Sequence, residues 1–246
     1  FSTLSLWLKS AGIERSTITL FSWAGLAYGF KFLWAPLMDR ISIPFLGRLI
    51  GHRKSWLAIA QLIIILSLTS MYFVNPQSNL TLMACIIILI GISSASQDAI
   101  VDTYRIESAP KKMQSVMSSS YIIGYRLGMI TSGAGSLILA SYFGAESKTY
   151  NPYAWQLTYM LMGCIQISGL ICCLISPEPQ GKRNLISNNA EKIKLLFVFT
   201  IGILAVIFVY SFFPDISSKD PFLNSAFNVF ILFFALFIGC SSFFIF

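Results

Sequence analysis

The sequence has few charged residues for its length. Only 11% of the 246 residues are charged, whereas soluble domains carry about 25%, and 56% are hydrophobic. A chain of this composition has too few polar groups to cover a globular surface, so we expect an integral membrane protein.

The patterns of several functional classes are also missing. The one histidine, His52, has no partner residues at metal-binding spacing, and the five cysteines lie in apolar runs without a CxxC pair. The sequence contains no HExxH or GxSxG motif, so neither an enzyme nor a cofactor is expected. The net charge of +7 is not concentrated in a basic cluster with aromatic residues, which argues against nucleic-acid binding.

Long apolar runs predict several transmembrane helices. A helix needs about 20 mostly apolar residues to cross a bilayer. Seven segments meet this requirement, at roughly 16–38, 55–74, 80–104, 115–143, 153–175, 193–213 and 226–246. The opening stretch FSTLSLWL resembles the end of one further helix, which we expect to be incomplete. The fold is therefore predicted to be an all-α, polytopic membrane helix bundle.

A polar stretch divides the predicted bundle. The segment SPEPQGKRNLISNNAEK at 176–192 combines prolines, a glycine, asparagines and mixed charge, which is typical of an exposed linker. We expect a first bundle over 1–176, a cytoplasmic linker over 177–192 and two additional transmembrane helices over 193–246.

The distribution of basic residues predicts the orientation. One set of alternate loops, with its immediate flanks, carries eleven of the 17 lysines and arginines, and the other set carries four. Because basic loops stay in the cytoplasm, the loops at 39–54, 105–114 and 177–192 are predicted to be cytoplasmic. The uncharged loop NPQSN at 75–79 is predicted to face outward.

Four ionisable residues fall inside predicted spans, and their charges cancel: Lys31, Asp98, Asp102 and Arg126. Burying a single charge at mid-bilayer costs at least about 2.5–3.5 kcal/mol, so a balanced set indicates pairing between helices. Lys31 and Asp98 are both predicted about 10–12 Å above the cytoplasmic end. Arg126 lies nearer mid-depth and has a long side chain. We therefore expect Lys31, Asp98 and Arg126 to meet.

The two acids share one face of their helix. Asp98 and Asp102 are four residues apart, and Ser94 and Arg105 extend the same stripe. Because the rest of this helix is apolar, the stripe is predicted to face protein or a water-filled cavity. The alternative is that these charges only hold the bundle together or gate it.

Small residues recur every four positions along the fourth predicted span, at Gly124, Gly128, Ser132 and Ser136. Ridges of small residues let membrane helices approach closely. Next to Arg126, this ridge predicts a tightly packed, charge-lined cleft.

Several phrases resemble known transporter families. The segment LMDRISIPFLGRLIGHRKSWL at 37–57 resembles the loop between helices 2 and 3 of major facilitator transporters. The stretches at 4–40, 94–107 and 124–135, which contain KFLWAPLMDR, SASQD and GYRLG, are similar to the muropeptide permease (AmpG) family. This second resemblance covers about residues 4–180.

The resemblance implies a proton-driven importer of peptidoglycan-derived anhydro-muropeptides, embedded in the lipid bilayer of the bacterial inner membrane. A small-molecule muropeptide would be its substrate. The family-like phrases place candidate residues of a substrate or proton cleft at Lys31, Gln97, Asp98, Asp102, Tyr125 and Arg126. The matching loop implies a gating loop with Asp39, Arg40 and Arg53.

The chain also departs from the family pattern, because family members have a complete first helix and a second helical half. The expected architecture is therefore a truncated N-terminal half of the major facilitator type plus an appended two-helix hairpin. Such a chain would be a fragment or a split half, with a C-terminal half encoded separately, and it is expected to insert but not to move muropeptide alone. The alternatives are an inactive truncated relic, a partner-dependent or structural membrane subunit without transport activity, and a transporter of another bulky anionic solute.

Overall fold

The computed structural model describes residues 2–145 and 150–179, with single residues at 200 and 204. The predicted spans at 193–213 and 226–246, with most of the predicted linker, lie outside the described residues. The chain divides into two units, one comprising Phe1–Met38 and Ser42–Arg183 and the other Asp39–Ile41 and Asn184–Phe246. The packing described below is that of the first unit.

Every regular element in the described ranges is helical, as the composition predicted. The α-helices are α1 (Ser2–Ser10), α2 (Arg15–Phe21), α3 (Leu26–Phe30), α4 (Ala35–Arg40), α5 (Leu46–Leu49), α6 (His52–Ser70), α7 (Leu80–Ser108), α8 (Gln114–Ile130), α9 (Ser136–Tyr142) and α10 (Pro152–Ile175). Short 3₁₀ turns occupy Ser22–Gly25, Lys31–Leu33, Met71–Phe73 and Lys111–Met113, and a π-helical turn occupies Thr131–Gly135.

Four of the predicted spans are helices long and apolar enough to cross a membrane. Within the described residues these are His52–Phe73, Leu80–Ser108, Lys111–Tyr142 and Pro152–Ile175. The third predicted span continues past its expected end at 104, as far as Ser108, and the added turn carries Arg105, whose guanidinium lies 3.5 Å from the Asp102 carboxylate.

The first predicted span, 16–38, is not one uniform helix. It is a succession of α2, α3 and α4 with 3₁₀ turns between them, and it breaks at Trp34. The cause is Pro36, which has no N–H to donate and whose ring clashes with the carbonyl group four residues earlier. The next two amide groups, of Leu37 and Met38, both donate to the Trp34 carbonyl oxygen, and α4 begins there.

The hydrophobic core near the start of the chain is built around α1. Trp7 is fully buried and stacks on Trp155, with ring centroids 6.4 Å apart and an interplanar angle of 9°. Its indole N–H donates to the Tyr150 hydroxyl at 3.0 Å, and burial raises the pKa of that hydroxyl. The opening stretch is thus an integral part of the bundle.

The predicted packing through the small-residue ridge of α8 is wrong for the described residues. Helix α8 contributes no buried side chain. A Cβ added at Gly124 or Gly128 would meet nothing within 4 Å in the part of the chain that the structure describes. Of the ridge, Ser136 is buried, and its hydroxyl bonds to the Thr3 hydroxyl at 3.0 Å.

Candidate functional site

The chain segment from α2 to α4 runs alongside α7 in the same direction. The two segments contact each other about once per helical turn. Ala24 packs against Gly91, and one turn further on the hydroxyl groups of Tyr28 and Ser94 form a hydrogen bond of 2.5 Å. Gly91 makes this approach feasible, because a Cβ at that position would lie 2.7 Å from the Ala24 carbonyl oxygen. The close approach sets the next pair along, Lys31 and Asp98, at the same level.

Asp98 receives a hydrogen bond on each carboxylate oxygen. Lys31 Nζ donates to Oδ2 at 2.5 Å, and the Tyr121 hydroxyl donates to Oδ1 at 2.9 Å. The Lys31 and Asp98 side chains are 30% and 27% exposed, so the pair is accessible from one side. Three helical segments, the Lys31–Leu33 turn, α7 and α8, therefore converge on one carboxylate.

Asp102 is held more loosely on the same face of α7. Its carboxylate lies 3.8 Å from Lys31 Nζ and 3.5 Å from Arg105 Nη2, and its side chain is 40% exposed. Arg105 also donates from Nη1 to the Ser118 hydroxyl at 3.0 Å, and its guanidinium carbon lies 5.1 Å from the centre of the Tyr121 ring. We call Lys31, Asp98, Asp102, Arg105 and Tyr121 the charge cluster, and its formal charges cancel.

Part of the charge cluster was not predicted from the sequence. Arg105 was placed on the stripe of Asp98 and Asp102 but was counted among the loop cations and not assigned as their partner, and Tyr28, Ser118 and Tyr121 were not among the candidates. A signal for α8 was present, since Ser118, Tyr121 and Tyr125 are three and four residues apart and share a helix face. A polar stripe on an otherwise apolar span indicates contact with other polar groups.

Arg126 does not meet Lys31 and Asp98, so this expectation was wrong. It is exposed and forms no hydrogen bond or ion pair with any residue in the described ranges. The reason is helical phase. Arg126 follows Tyr121 by five residues. Its side chain therefore points about 140° around the α8 axis away from the Tyr121 side chain, which is the one that reaches Asp98.

The other two cleft candidates lie near the charge cluster in sequence. Tyr125 is 57% exposed, and its ring stacks against that of Tyr121 with centroids 6.5 Å apart. Gln97 is half-buried on α7, and its Oε1 atom has no hydrogen-bond partner among the described residues.

The predicted gating loop is largely helical. Asp39 and Arg40 are the exposed last residues of α4, and Arg53 lies in the first turn of α6. Arg53 is only 5% exposed and binds both oxygens of Glu107 at the end of α7, at 2.7 and 3.3 Å. This ion pair ties α6 to α7.

A carboxylate explains why α6 begins where it does. The Glu178 side chain accepts hydrogen bonds from the backbone N–H groups of Arg53 at 2.9 Å and Lys54 at 3.2 Å. Free N–H groups and the helix dipole make the start of a helix favourable for an anion. Gly51, with φ of 101°, makes the turn into α6, and a Cβ there would collide with the Glu178 side chain.

An apolar groove of about 690 Å³ lies between α2–α3 and the first half of α7. Its walls carry no charged side chain, so the groove offers little to hold a polar solute. It is lined by Thr17, Leu20, Phe21, Trp23, Ala24, Leu26, Ala27, Phe30, Trp34, Leu80, Thr81, Ala84, Ile87, Ile88 and Ile92.

The long apolar helices and the charge cluster are features of a membrane protein, and comparison with known families agrees. The chain belongs to the Major Facilitator Superfamily, whose sequence profile matches residues 2–246. This is a family of membrane transporters, and membership together with the apolar helices makes the chain a multi-pass protein of the bacterial inner membrane.

The predicted resemblance to the AmpG proteins is confirmed by individual relatives. The chain is 41% identical over 165 residues to the putative transporter AmpG 4 of Rickettsia felis, a match that covers 67% of this chain and 38% of that protein. It is 37% identical over 177 residues to the anhydromuropeptide permease of Escherichia coli K12, covering 72% of this chain and 33% of the permease. The chain is 30% identical over 239 residues to the putative transporter AmpG 1 of Rickettsia conorii, a match that covers 94% of this chain and 57% of that protein. The chain therefore spans less than two thirds of the length of these relatives.

Proposed function

We propose that the chain contributes the charge cluster to a proton-driven import pathway for anhydro-muropeptides across the bacterial inner membrane. The observation that carries this proposal is the Lys31–Asp98 pair with Tyr121, placed on apolar helices yet about 30% exposed. Charges within membrane helices are costly and mark transport pathways when they face a cavity.

The chemistry of the charge cluster suits a polar substrate. A muropeptide presents sugar hydroxyls, amides and carboxylates, all of which bond to ammonium, guanidinium, carboxylate and phenol groups. Tyr28, Ser94 and Tyr125 add exposed or half-buried polar groups beside the charged ones. The apolar groove between α2–α3 and α7 has no such groups, which favours the charge cluster as the substrate side.

The two acids are held differently. Asp98 has a close hydrogen-bond donor on each carboxylate oxygen, Lys31 Nζ on one and the Tyr121 hydroxyl on the other. Asp102 has only the longer contacts of 3.5 and 3.8 Å. In this proposal Asp98 holds Lys31 in place, and Asp102 is the acid that is more open to the pathway.

At the cytoplasmic end, Asp39, Arg40 and Arg53 remain the proposed gate. The contact between Arg53 and Glu107 supports this for Arg53, because it must break or turn if α6 and α7 move apart. Transporters of this type alternate access by moving helix bundles against each other.

Uptake of radiolabelled anhydro-muropeptide tests the proposal in E. coli cells that lack their own permease. The cells would express the chain alone, the chain together with the remaining helices of the E. coli relative, or that full-length relative as a positive control. We expect uncoupler-sensitive uptake in at least one arm that contains the chain. Asp98→Asn should abolish this uptake and Glu14→Gln, a matched change of an exposed acid, should not. Uptake that is absent from both chain arms, or unaffected by Asp98→Asn, would contradict the proposal.

A further inference from the structure

The four ionisable residues that the sequence placed inside spans, Lys31, Asp98, Asp102 and Arg126, do not all pair with one another. Lys31, Asp98, Asp102 and Arg105 satisfy one another and their charges cancel. The sequence alone predicted Arg126 as the second cation beside the two aspartates, but in the structure that cation is Arg105, which contacts Asp102. Arg126 is left as an excess cation without a partner in the ranges 2–145 and 150–179.

Arg126 is also far from either membrane surface. It is the sixteenth residue of the 32-residue span Lys111–Tyr142, so it lies at the middle of that span. The hydrocarbon core is about 30 Å thick, which places the midpoint about 15 Å from the nearer interface. That distance is too great for the side chain to reach the head groups, whereas arginines near helix ends can do so.

The helix around Arg126 is open to a ligand. No side chain of α8 is buried, and the neighbouring Tyr125 ring is 57% exposed. An arginine fork matches the geometry of a carboxylate, to which it donates two parallel hydrogen bonds.

We infer that Arg126 binds a carboxylate of the transported solute at mid-depth in the membrane. The inference rests on the proposed function, since it takes the substrate to be an anhydro-muropeptide whose peptide carries carboxylates. Charge complementarity carries it. The charge cluster is neutral by itself, whereas Arg126, at the midpoint of its span, has no ion-pair partner among residues 2–145 and 150–179 and can be neutralised by an anionic substrate. Arg126 is thus a specificity-determining residue, separate from the Lys31–Asp98 pair.

Binding to the full chain in nanodiscs tests this inference without requiring transport. Two probes would be compared, an anhydro-muropeptide with free peptide carboxylates and the same molecule with those carboxylates amidated. The proteins would be the wild-type chain, Arg126→Gln, Arg126→Lys and, as a control that removes one exposed cation from the same span, Lys112→Gln. The measured quantities are the dissociation constant and the shift of the thermal unfolding midpoint, with the full-length E. coli relative as the positive control.

We expect the free-carboxylate probe to bind the wild-type chain at least about tenfold more tightly than the amidated probe, because amidation removes a charge-assisted hydrogen bond. This ratio should fall to about one in Arg126→Gln, stay reduced but above one in Arg126→Lys, and remain unchanged in Lys112→Gln. Equal binding of both probes to wild type, or an unchanged ratio in Arg126→Gln, would overturn the inference and leave the proposed function standing. If the Arg126→Gln variant does not fold, the ratio of the two dissociation constants in the wild-type chain and in Arg126→Lys tests the inference. If neither probe binds wild type while the full-length relative binds, the proposed function falls and the inference with it.

Discussion

Replacing Asp98 by asparagine distinguishes its two potential partners, Lys31 and Arg126. In the Asp98→Asn variant, Lys31 Nζ loses its carboxylate partner at 2.5 Å and keeps only the Asp102 carboxylate at 3.8 Å. The asparagine amide oxygen can still accept the hydrogen bond from the Tyr121 hydroxyl. Exposed ion pairs contribute about 0.2–1 kcal/mol, and breaking a fully buried pair costs about 3–5 kcal/mol. With side chains 30% and 27% exposed, we expect a loss between these limits, about 2 kcal/mol in the free energy of unfolding.

The double variants separate the alternatives. Adding Lys31→Met to Asp98→Asn removes the stranded cation, so the two changes should be coupled by about 1–2 kcal/mol and the double variant should lose less than the sum. Adding Arg126→Met should be additive within about 0.5 kcal/mol, because Arg126 does not contact the charge cluster.

The assay is reversible unfolding of the full chain in mixed micelles by increasing denaturing detergent, followed by tryptophan fluorescence. Glu14→Gln serves as the matched control, since it removes an exposed acid outside the charge cluster. A coupling energy below about 0.5 kcal/mol between Lys31 and Asp98, or a larger coupling for Arg126, would refute the assignment of the pair.

Three further predictions concern packing, capping and orientation. Gly91→Ala places a Cβ 2.7 Å from a backbone oxygen and should lower the free energy of unfolding by about 1–3 kcal/mol, whereas Gly124→Ala should not lower it measurably; equal melting temperatures would contradict this. Glu178→Ala removes the acceptor of two N–H groups at the start of α6 and should cost about 0.5–2 kcal/mol in the same measurement, and no loss would show that the cap is dispensable. In a chain without its native cysteines, a cysteine at 75–79 should be labelled from outside and one at Arg183 should not, and the opposite pattern would reverse the predicted orientation.

The sequence predicted the long helices well, because hydropathy reports directly on which segments can lie in lipid. The spans at 55–74, 80–104, 115–143 and 153–175 each correspond to a described helix. The break at Trp34 in the first span was not predicted because hydropathy does not register how Pro36 disrupts the hydrogen bonds of the turn before it.

The site was predicted in part. The cost of burying charge was enough to single out Lys31, Asp98 and Asp102, which the structure brings together. Arg105 was placed on the stripe of the two acids but not assigned as their partner, because a basic residue near a span end looks like a loop residue. Tyr121 was missed because a tyrosine in a span has no unique interpretation. The pairing of Arg126 was wrong because the rotation of α8 relative to α7 is fixed by tertiary contacts that a single sequence does not contain.

Substrate protection of an introduced cysteine tests the central claim most directly, namely that the charge cluster lines a pathway for anhydro-muropeptide. In the full chain without its native cysteines, Tyr125→Cys would be compared with Ile138→Cys, an exposed apolar position on α9. We predict that a membrane-impermeant, hydrophilic maleimide labels the Tyr125→Cys variant in open membranes and that anhydro-muropeptide slows this labelling several-fold, with no effect on the Ile138→Cys variant. Labelling of Tyr125→Cys that is absent, or that proceeds at the same rate with and without anhydro-muropeptide, would contradict the account.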